Sequence, residues 1–477
     1  MIKCPNCSGL LNFEPGMQKI ECQYCGSTFT AEELEAKESS VSVQEAMPSD
    51  ENSYNGRVYN CKQCGASIMT FEDTAVTFCS YCGSQAMIED KMVNNHADYI
   101  IPFSIQKEDC LKAYKTKLNK FWFAPDYMKS DYTISNFRGI YMPYGIISLG
   151  FDGRCVNMGK TSHRSGDYII YDEYRIQCDA KAEYTGMSFD LLSNFYDKYS
   201  MAIPFNYNKA IPFNQSYLLG YYADAANVDA NVYEDTAKKM VASDVSKRMR
   251  SASNAFAIHG CPNPTIDFNI LNSKVGLFPV YFLGIRHTKN NTISYAVVNG
   301  DDGKMAIDLP IDFSKYLVVS LVLAIIIFLI LDMFLVLTPS TITIISTVFA
   351  IICFAISKKQ VSTLKKAQNF EDDLGLSYIE QEKNKDNASS KKKKKTGYGK
   401  FLVKEIIAMI IPIFILFSGT IDDELYYGSA IISLILIVLS FSDIIKEHNL
   451  LSTHKLPQLE KRGGDLWWKN FYLFVFL

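Results

Sequence analysis

The 477-residue sequence predicts a multi-domain chain: two small cysteine-built ribbons, an α+β soluble domain, and an α-helical membrane domain of about four spans. Three observations predict it. A C-x2-C pair followed by a second such pair occurs twice near the amino terminus, strand-like alternation broken by amphipathic helices fills the middle, and long uncharged runs fill the last third. The average composition, 48% apolar and 21% charged with a net charge of −3, hides this segregation. Local charge is therefore the informative quantity.

Tyr316 to Leu337 holds one charge, Asp332. At about 1.5 Å per residue, a helix of that length crosses a hydrocarbon core of about 30 Å. After Thr338-Pro339-Ser340, Thr341 to Ile356 is a second uncharged run, completing a transmembrane hairpin over 316–356. A third span is expected over about Phe401 to Ser418, with Lys404 and Glu405 snorkelling at its end and Pro412 kinking it. A fourth over about Leu425 to Phe441 makes 401–441 a second hairpin. Buried helices of a soluble domain would keep a polar face, and these runs of Ile, Leu and Val have none.

Orientation follows from the lysines. The loop 357–400 carries Lys358, Lys359, Lys365, Lys366, Lys383, Lys385, the run Lys391, Lys392, Lys393, Lys394 and Lys395, and Lys400, and loops this basic stay cytoplasmic. Gly419 to Glu424 holds three acids and no base, which fits an outside turn. Both termini are then cytoplasmic in a multi-pass protein of the cell membrane. The five-lysine run can engage anionic lipid head groups at about 1 kcal/mol per lysine, or act only as a solvated linker that sets topology. The tail 442–477 ends in Leu466-Trp467-Trp468-Lys469-Asn470-Phe471, an aromatic interfacial anchor or the start of a fifth span. Cys4 follows Met1 too closely for a signal peptide.

The candidate ligands are Cys4, Cys7, Cys22 and Cys25 in residues 1–30, and Cys61, Cys64, Cys79 and Cys82 in residues 57–97, a repeat offset by 57 residues. Each short turn aims two thiolates at one ion, and two turns complete a tetrahedron with no open position. This predicts two ions, one per ribbon, with zinc expected and iron in a rubredoxin-like site the alternative. Disulfides are the competing chemistry, which a reducing cytoplasm disfavours. Gly26 and Gly83 directly follow the last ligands, where the backbone must bend. Each ribbon is too small for a core of its own, so metal would supply its folding energy.

The paired Cys4-Pro5-Asn6-Cys7 and Cys22-Gln23-Tyr24-Cys25-Gly26-Ser27 knuckles resemble the zinc ribbons of the transcription-factor-IIB type and the knuckles of rubredoxin-like proteins. Residues 1–315 also resemble a group of bacterial membrane proteins labelled as zinc-ribbon-containing and sometimes filed beside replication-restart helicases. The supporting residues are the knuckles, Ile101-Pro102-Phe103, and Val298-Asn299-Gly300-Asp301-Asp302-Gly303-Lys304. That group carries no established activity. The helicase label would require a nucleotide site that this sequence lacks.

Residues 1–100 hold six basic and fourteen acidic side chains, a net charge of −8. Phosphate binding draws most of its affinity from Lys and Arg, so nucleic acid is not the expected partner of the ribbons. A cytoplasmic protein partner and the bilayer itself are expected instead. Residues 31–56 read as an acidic linker with a short helix over Ala31 to Lys37, and 98–312 as the α+β domain. In that domain Lys107 to Lys120 reads as an amphipathic helix and Ser216 to Arg250 as a second helix. Gly139–Gly159, Asp167–Tyr184, Leu277–His287, Thr292–Val298 and Lys304–Leu309 read as strands. Ile-Pro-Phe recurs at Ile101, Ile203 and Ile211 as extended punctuation.

No catalytic set is assembled, and the reading leans against an enzyme. Gly153 to Thr161 imitates a phosphate loop with one residue too many between its glycines and no helix after it. The histidines lack ligand spacing except for His448 and His454, expected as exposed tail residues. Cys110, Cys155, Cys178, Cys261 and Cys353 are scattered, and a lone Cys reads first as a buried hydrophobe. Cys261 beside His259 is the one nucleophile to test, and Asp332 the one intramembrane acid. The leading expectation is a protein-binding or scaffold module. A membrane-tethered nucleic-acid-binding protein is the alternative, followed by a membrane enzyme or transporter with an unrecognised site.

Overall fold

The computed structural model describes residues 2–41, 53–63, 66–71, 78–85, 87–130, 133, 136–193, 195–252, 257–259, 265–287, 292–334, 338–369, 399–418 and 422–455. Cys64, Cys261, the Lys391–Lys395 run and the Leu466–Phe471 segment lie outside them, as do the side chains of Cys155, Cys178 and Asp332.

The chain opens with β1 (Leu11–Glu14), β2 (Lys19–Cys22) and β3 (Thr28–Phe29), a small antiparallel sheet. α1 (Ala31–Val41) starts on a reciprocal cap, with Thr30 N–H donating to Glu33 Oε2 at 3.0 Å and Glu33 N–H to Thr30 Oγ1 at 3.3 Å. β4 (Ser53–Cys61), β5 (Ser67–Thr70) and β6 (Met87–His96) carry the second cysteine segment, and β7 (Tyr99–Ile100) and α2 (Lys107–Asn119) follow. The central ribbon is β8 (Arg138–Ser165) and β9 (Tyr168–Asp190), joined by a two-residue turn at Gly166-Asp167. Gly166 sits at φ +62°, the backbone such a turn needs.

Next come α3 (Asp197–Ala202), β10 (Ile211–Pro212), β11 (Tyr222–Asp224), α4 (Glu234–Ala252), β12 (Ala257–His259), β13 (Thr265–His287), β14 (Thr292–Asn299) and β15 (Met305–Ile307). The helix expected over Ser216–Arg250 is thus corrected: only short 3-10 turns form at Gln215–Leu218 and Ala230–Tyr233, and α-helix begins at Glu234. Gly220 turns the chain at φ +83°, and β11 then pairs with β5 and β8, so sheet pairing wins over local helical propensity.

Thirteen strands form one sheet in the order β10-β7-β13-β8-β11-β5-β4-β6, with the other strands pairing off this path. The second cysteine segment is therefore continuous with the α+β sheet. Alternate residues of β13 point to opposite faces, as a pleated strand requires. Leu277, Tyr281, Leu283 and Ile285 join a core shared with Cys4 and Cys22, whereas Phe278, Val280 and Phe282 join one shared with Cys61, Cys79 and Cys82. The two cysteine clusters lie on opposite faces of the same strand.

The carboxyl-terminal part holds α5 (Phe313–Phe334), α6 (Pro339–Asn369), α7 (Gly399–Ser418), α8 (Asp423–Leu451) and β16 (His454–Lys455). Among the described residues, three stretches are long and apolar enough to cross a membrane: Phe313–Ile330, Pro339–Lys365 and Asp423–Leu451. α7 stands where the third span was expected. Its Glu405 does not snorkel: it is fully buried, and Oε1 accepts from Ser357 Oγ of α6 and from Ser440 Oγ of α8 at 2.9 Å. Lys404 instead pairs with Asp443 of α8. α6, α7 and α8 pack together around Ala350, Cys353, Ala408 and Ile437, whereas the window Phe313–Ile330 buries no residue inside the chain.

His448 and His454 are not exposed tail residues. β16 pairs with β14, Ile293 opposite His454, so the segment after α8 returns to the soluble sheet. His454 Nε2 meets the Tyr199 hydroxyl at 2.9 Å and Asp308 Oδ2 at 3.5 Å, and His448 Nε2 donates to Leu309 O at 3.1 Å.

Candidate metal centre

The two cysteine segments fold alike because the same backbone hydrogen bonds recur at the 57-residue offset. Cys4 N–H donates to Gly9 O at 3.0 Å and Cys61 N–H to Ala66 O at 2.9 Å. Cys22 N–H donates to Ser27 O and Gly26 N–H to Cys22 O, both at 2.9 Å; Cys79 to Ser84 and Gly83 to Cys79 repeat this at 2.8 Å. Gly26 and Gly83 sit at φ +69° and +66° with open space where a Cβ would be. They are glycines for backbone conformation, not for packing.

These turns bring the thiols together. The sulfurs of Cys4, Cys7, Cys22 and Cys25 all lie within 4.8 Å of one another, as do those of Cys61, Cys79 and Cys82. Cys4–Cys25 is 3.7 Å, Cys7–Cys22 3.4 Å and Cys61–Cys82 3.5 Å. Thiolates about 2.3 Å from a tetrahedral ion stand about 3.8 Å apart, whereas a disulfide needs about 2.05 Å. The spacing fits chelation.

Electrostatics favours the thiolate at two thiols of the first cluster, whereas at Cys7 the lowering by the Gly9 backbone is outweighed by hydrogen bonds with the Cys22 and Cys25 sulfurs, which hold that thiol up at about 12. The Ser27 hydroxyl, 3.2 Å from Cys25 Sγ, and the Ser27 backbone N–H lower the Cys25 thiol to about 6, and the Cys25 and Tyr24 backbone amides lower Cys22. Amides aimed at sulfur favour the thiolate, the form that binds metal. Cys110, by contrast, is pushed up to about 12 by burial and packs as a hydrophobe in the core.

The clusters differ in their surroundings. Cys7 and Cys25 are exposed, and Tyr24 between the last two ligands is 75% exposed. Cys61, Cys79 and Cys82 are buried, and the equivalent Tyr81 is 1% exposed. The Tyr81 hydroxyl donates a hydrogen bond to Asp224 Oδ2. Burial raises Asp224 to about 7 despite that bond and one from Ala225 N–H. β13 makes room for the second knuckle at Gly284, where a Cβ would stand 2.0 Å from the Tyr81 carbonyl oxygen. Neither Asp224 nor Gly284 carries a sequence signal linking it to the cysteines. The CxYC tyrosines are visible as a repeat, but their opposite fates are not.

Among the other expected features, Ile101, Phe103 and Ile203 are buried core residues, and Pro212 lies on a short edge strand. That is the structural role expected of the Ile-Pro-Phe tripeptides.

No protein-family profile matches this chain, and no solved structure matches it. Among curated proteins it is similar to "Uncharacterized protein YdjG" of Bacillus subtilis, 25% identical over 321 residues, which cover 66% of this chain and 91% of that protein.

Proposed function

We propose that this chain is a multi-pass membrane protein holding two structural Zn2+ ions, one at Cys4, Cys7, Cys22 and Cys25 and one at Cys61, Cys64, Cys79 and Cys82. The ribbons and the α+β domain face the cytoplasm, and the first ribbon serves as a protein-binding module. The observation that carries this reading is the unequal burial of a duplicated knuckle. Tyr81 is spent inside the sheet, whereas Tyr24 is held out to solvent at 75% exposure beside the exposed Cys7 and Cys25. An exposed aromatic on a rigid, metal-stapled turn is the kind of anchor that protein interfaces use. The net charge of −8 over residues 1–100 favours a basic partner surface over nucleic acid.

What supports a fourth crossing by α7 is the return of β16. Asp308 precedes α5 and His454 follows α8, yet their side chains lie 3.5 Å apart. Groups in contact cannot be separated by a hydrocarbon core of about 30 Å, so the number of crossings between them is even. Three alone would violate that.

The test is capture of the detergent-solubilised native chain and a Tyr24→Ala variant after nuclease treatment, with zinc and iron per chain measured on both. A partner lost with Tyr24 while two metal ions are retained supports the module. Partners unchanged by Tyr24→Ala would make the first ribbon purely structural.

A further inference from the structure

After α2 ends at its cap Lys120, the chain runs Phe121-Trp122-Phe123-Ala124. This loop is fastened to the start of α5: Asp312 N–H donates to Phe123 O at 2.8 Å, Lys315 Nζ to Ala124 O at 3.0 Å, and the Phe123 ring meets Tyr316 edge-on at 5.4 Å. Phe123 is thereby occupied. Phe121 and Trp122 are not, at 42% and 76% exposure.

Behind them lies a crevice of about 860 Å³, closed on the other side by Ile356 and Leu364 of α6 and by Phe441 and Ile444 of α8. The volume is of the size that takes a ligand. Its level is set by its walls: Tyr316 lies in the first turn of α5, and Ile356 is followed in α6 by Ser357 and the exposed Lys358 and Lys359. Apolar walls from two membrane helices therefore meet exposed aromatics and lysines at the end of the hydrocarbon. Aromatic side chains gather at that depth, and lysines there attract anionic head groups. The acid in the lining, Asp308, is already engaged by Lys198 and Tyr199.

We propose that this crevice is a binding site for an anionic glycerophospholipid of the adjoining leaflet. One acyl chain lies along Ile356, Phe441 and Ile444, Trp122 covers the glycerol region, and Lys120 in the lining, with Lys359 at the flank of α6 beside Gln360, meets the phosphate. The proposal rests on the multi-pass reading above, since it needs α5, α6 and α8 in the bilayer.

The experiment uses the full chain in lipid nanodiscs with Trp467→Phe and Trp468→Phe, leaving Trp122 as the one tryptophan of the three in the sequence. Phosphatidylglycerol brominated on its acyl chains is expected to quench Trp122 by about two-fold or more, with iodide in the water a poor quencher, as suits an interfacial tryptophan. Brominated phosphatidylcholine quenches less, and Lys120→Glu with Lys359→Glu removes the difference, whereas Lys358→Glu, on the opposite face of α6, leaves it in place. Quenching by iodide with no response to either bromolipid overturns the site. So does a blue-shifted Trp122 that reddens when residues 464–477 are deleted but never responds to bromolipid, because the chain's own tail then fills the crevice. Release of the chain from membranes by alkaline carbonate would instead sink the multi-pass reading itself.

Discussion

Tyr24 and Tyr81 occupy equivalent places in two copies of one turn, so they form an internal control on what burial does to a side chain. Tyr81→Phe leaves the buried Asp224 carboxyl with only the Ala225 amide as partner, and an unmet buried acceptor costs about 1–3 kcal/mol. Tyr24→Phe changes an exposed side chain and is expected to stay within about 0.5 kcal/mol. Urea unfolding of the metal-loaded protein in detergent measures both, and equal losses would contradict the burial difference. His287 offers a second residue-scale test. Burial, against an upward pull from Asp308, holds its imidazole down at about 4, with the Tyr127 hydroxyl on Nδ1 and Ser294 Oγ 2.8 Å from Nε2. The unfolded chain regains an ordinary imidazole near 6.5 and so binds the extra proton between those values. Stability is therefore complete above about pH 6.5 and is lost as pH falls toward 4, by at most about 2 kcal/mol from this partly screened group. Between pH 7 and pH 5 the unfolding midpoint of the native chain is expected to drop further than that of His287→Gln.

The two cysteine segments share their backbone hydrogen bonds yet are stabilised differently, because one is a separate three-stranded sheet packed onto the main core and the other is woven into thirteen strands. On the zinc reading, a chelator is expected to remove metal in two phases. The first ion leaves from the exposed Cys7 and Cys25 side with the strand signal intact, and the second leaves only as fast as the main sheet opens. Zinc release followed beside circular dichroism distinguishes this from a single phase, which would mean the clusters share one fate. The knuckles were legible because a thiol pair at fixed spacing, repeated, has few physical uses, and the spans because Phe313–Ile330 has no polar face. The weave was not legible. It depends on β11, three residues long, and β16, two residues long, and such strands are too short to show alternation in sequence. Their partners, Met69 for Ala223 and Ile293 for His454, are fixed only by the folded sheet. The burial of Glu405 was not legible either: its distance from the helix start permits snorkelling, and the serines that bind its Oε1 come from α6 and α8.

At the scale of the whole molecule, the soluble sheet and the membrane helices are joined at both ends of the helical region. Asp312 at the entrance binds the Phe123 carbonyl, and at the exit Asn449 holds both the N–H and the C=O of Ile311, at 2.7 and 2.9 Å. Ser294 Oγ donates to Ser452 O at 2.9 Å, and Lys198 Nζ to Leu451 O at 3.3 Å. Such a closure adds a constraint on topology that hydropathy does not carry, since it holds the entrance and the exit of the helical region together. Twenty residues of helix span about 30 Å, so α7 is long enough, and pairing Lys404 with Asp443 and Glu405 with two serines lowers the cost of its charges. The expected outcome is that a cysteine placed at Asp423, between α7 and α8, reacts with a membrane-impermeant maleimide in intact cells. One placed at Thr453, beside His454, reacts only after lysis. Labelling of both from the same side would mean that α8 does not cross alone between them, and the reverse pattern would put the ribbons outside. Only the first result satisfies the sheet that β16 completes, the lysines after α6 and the acids before α8 together.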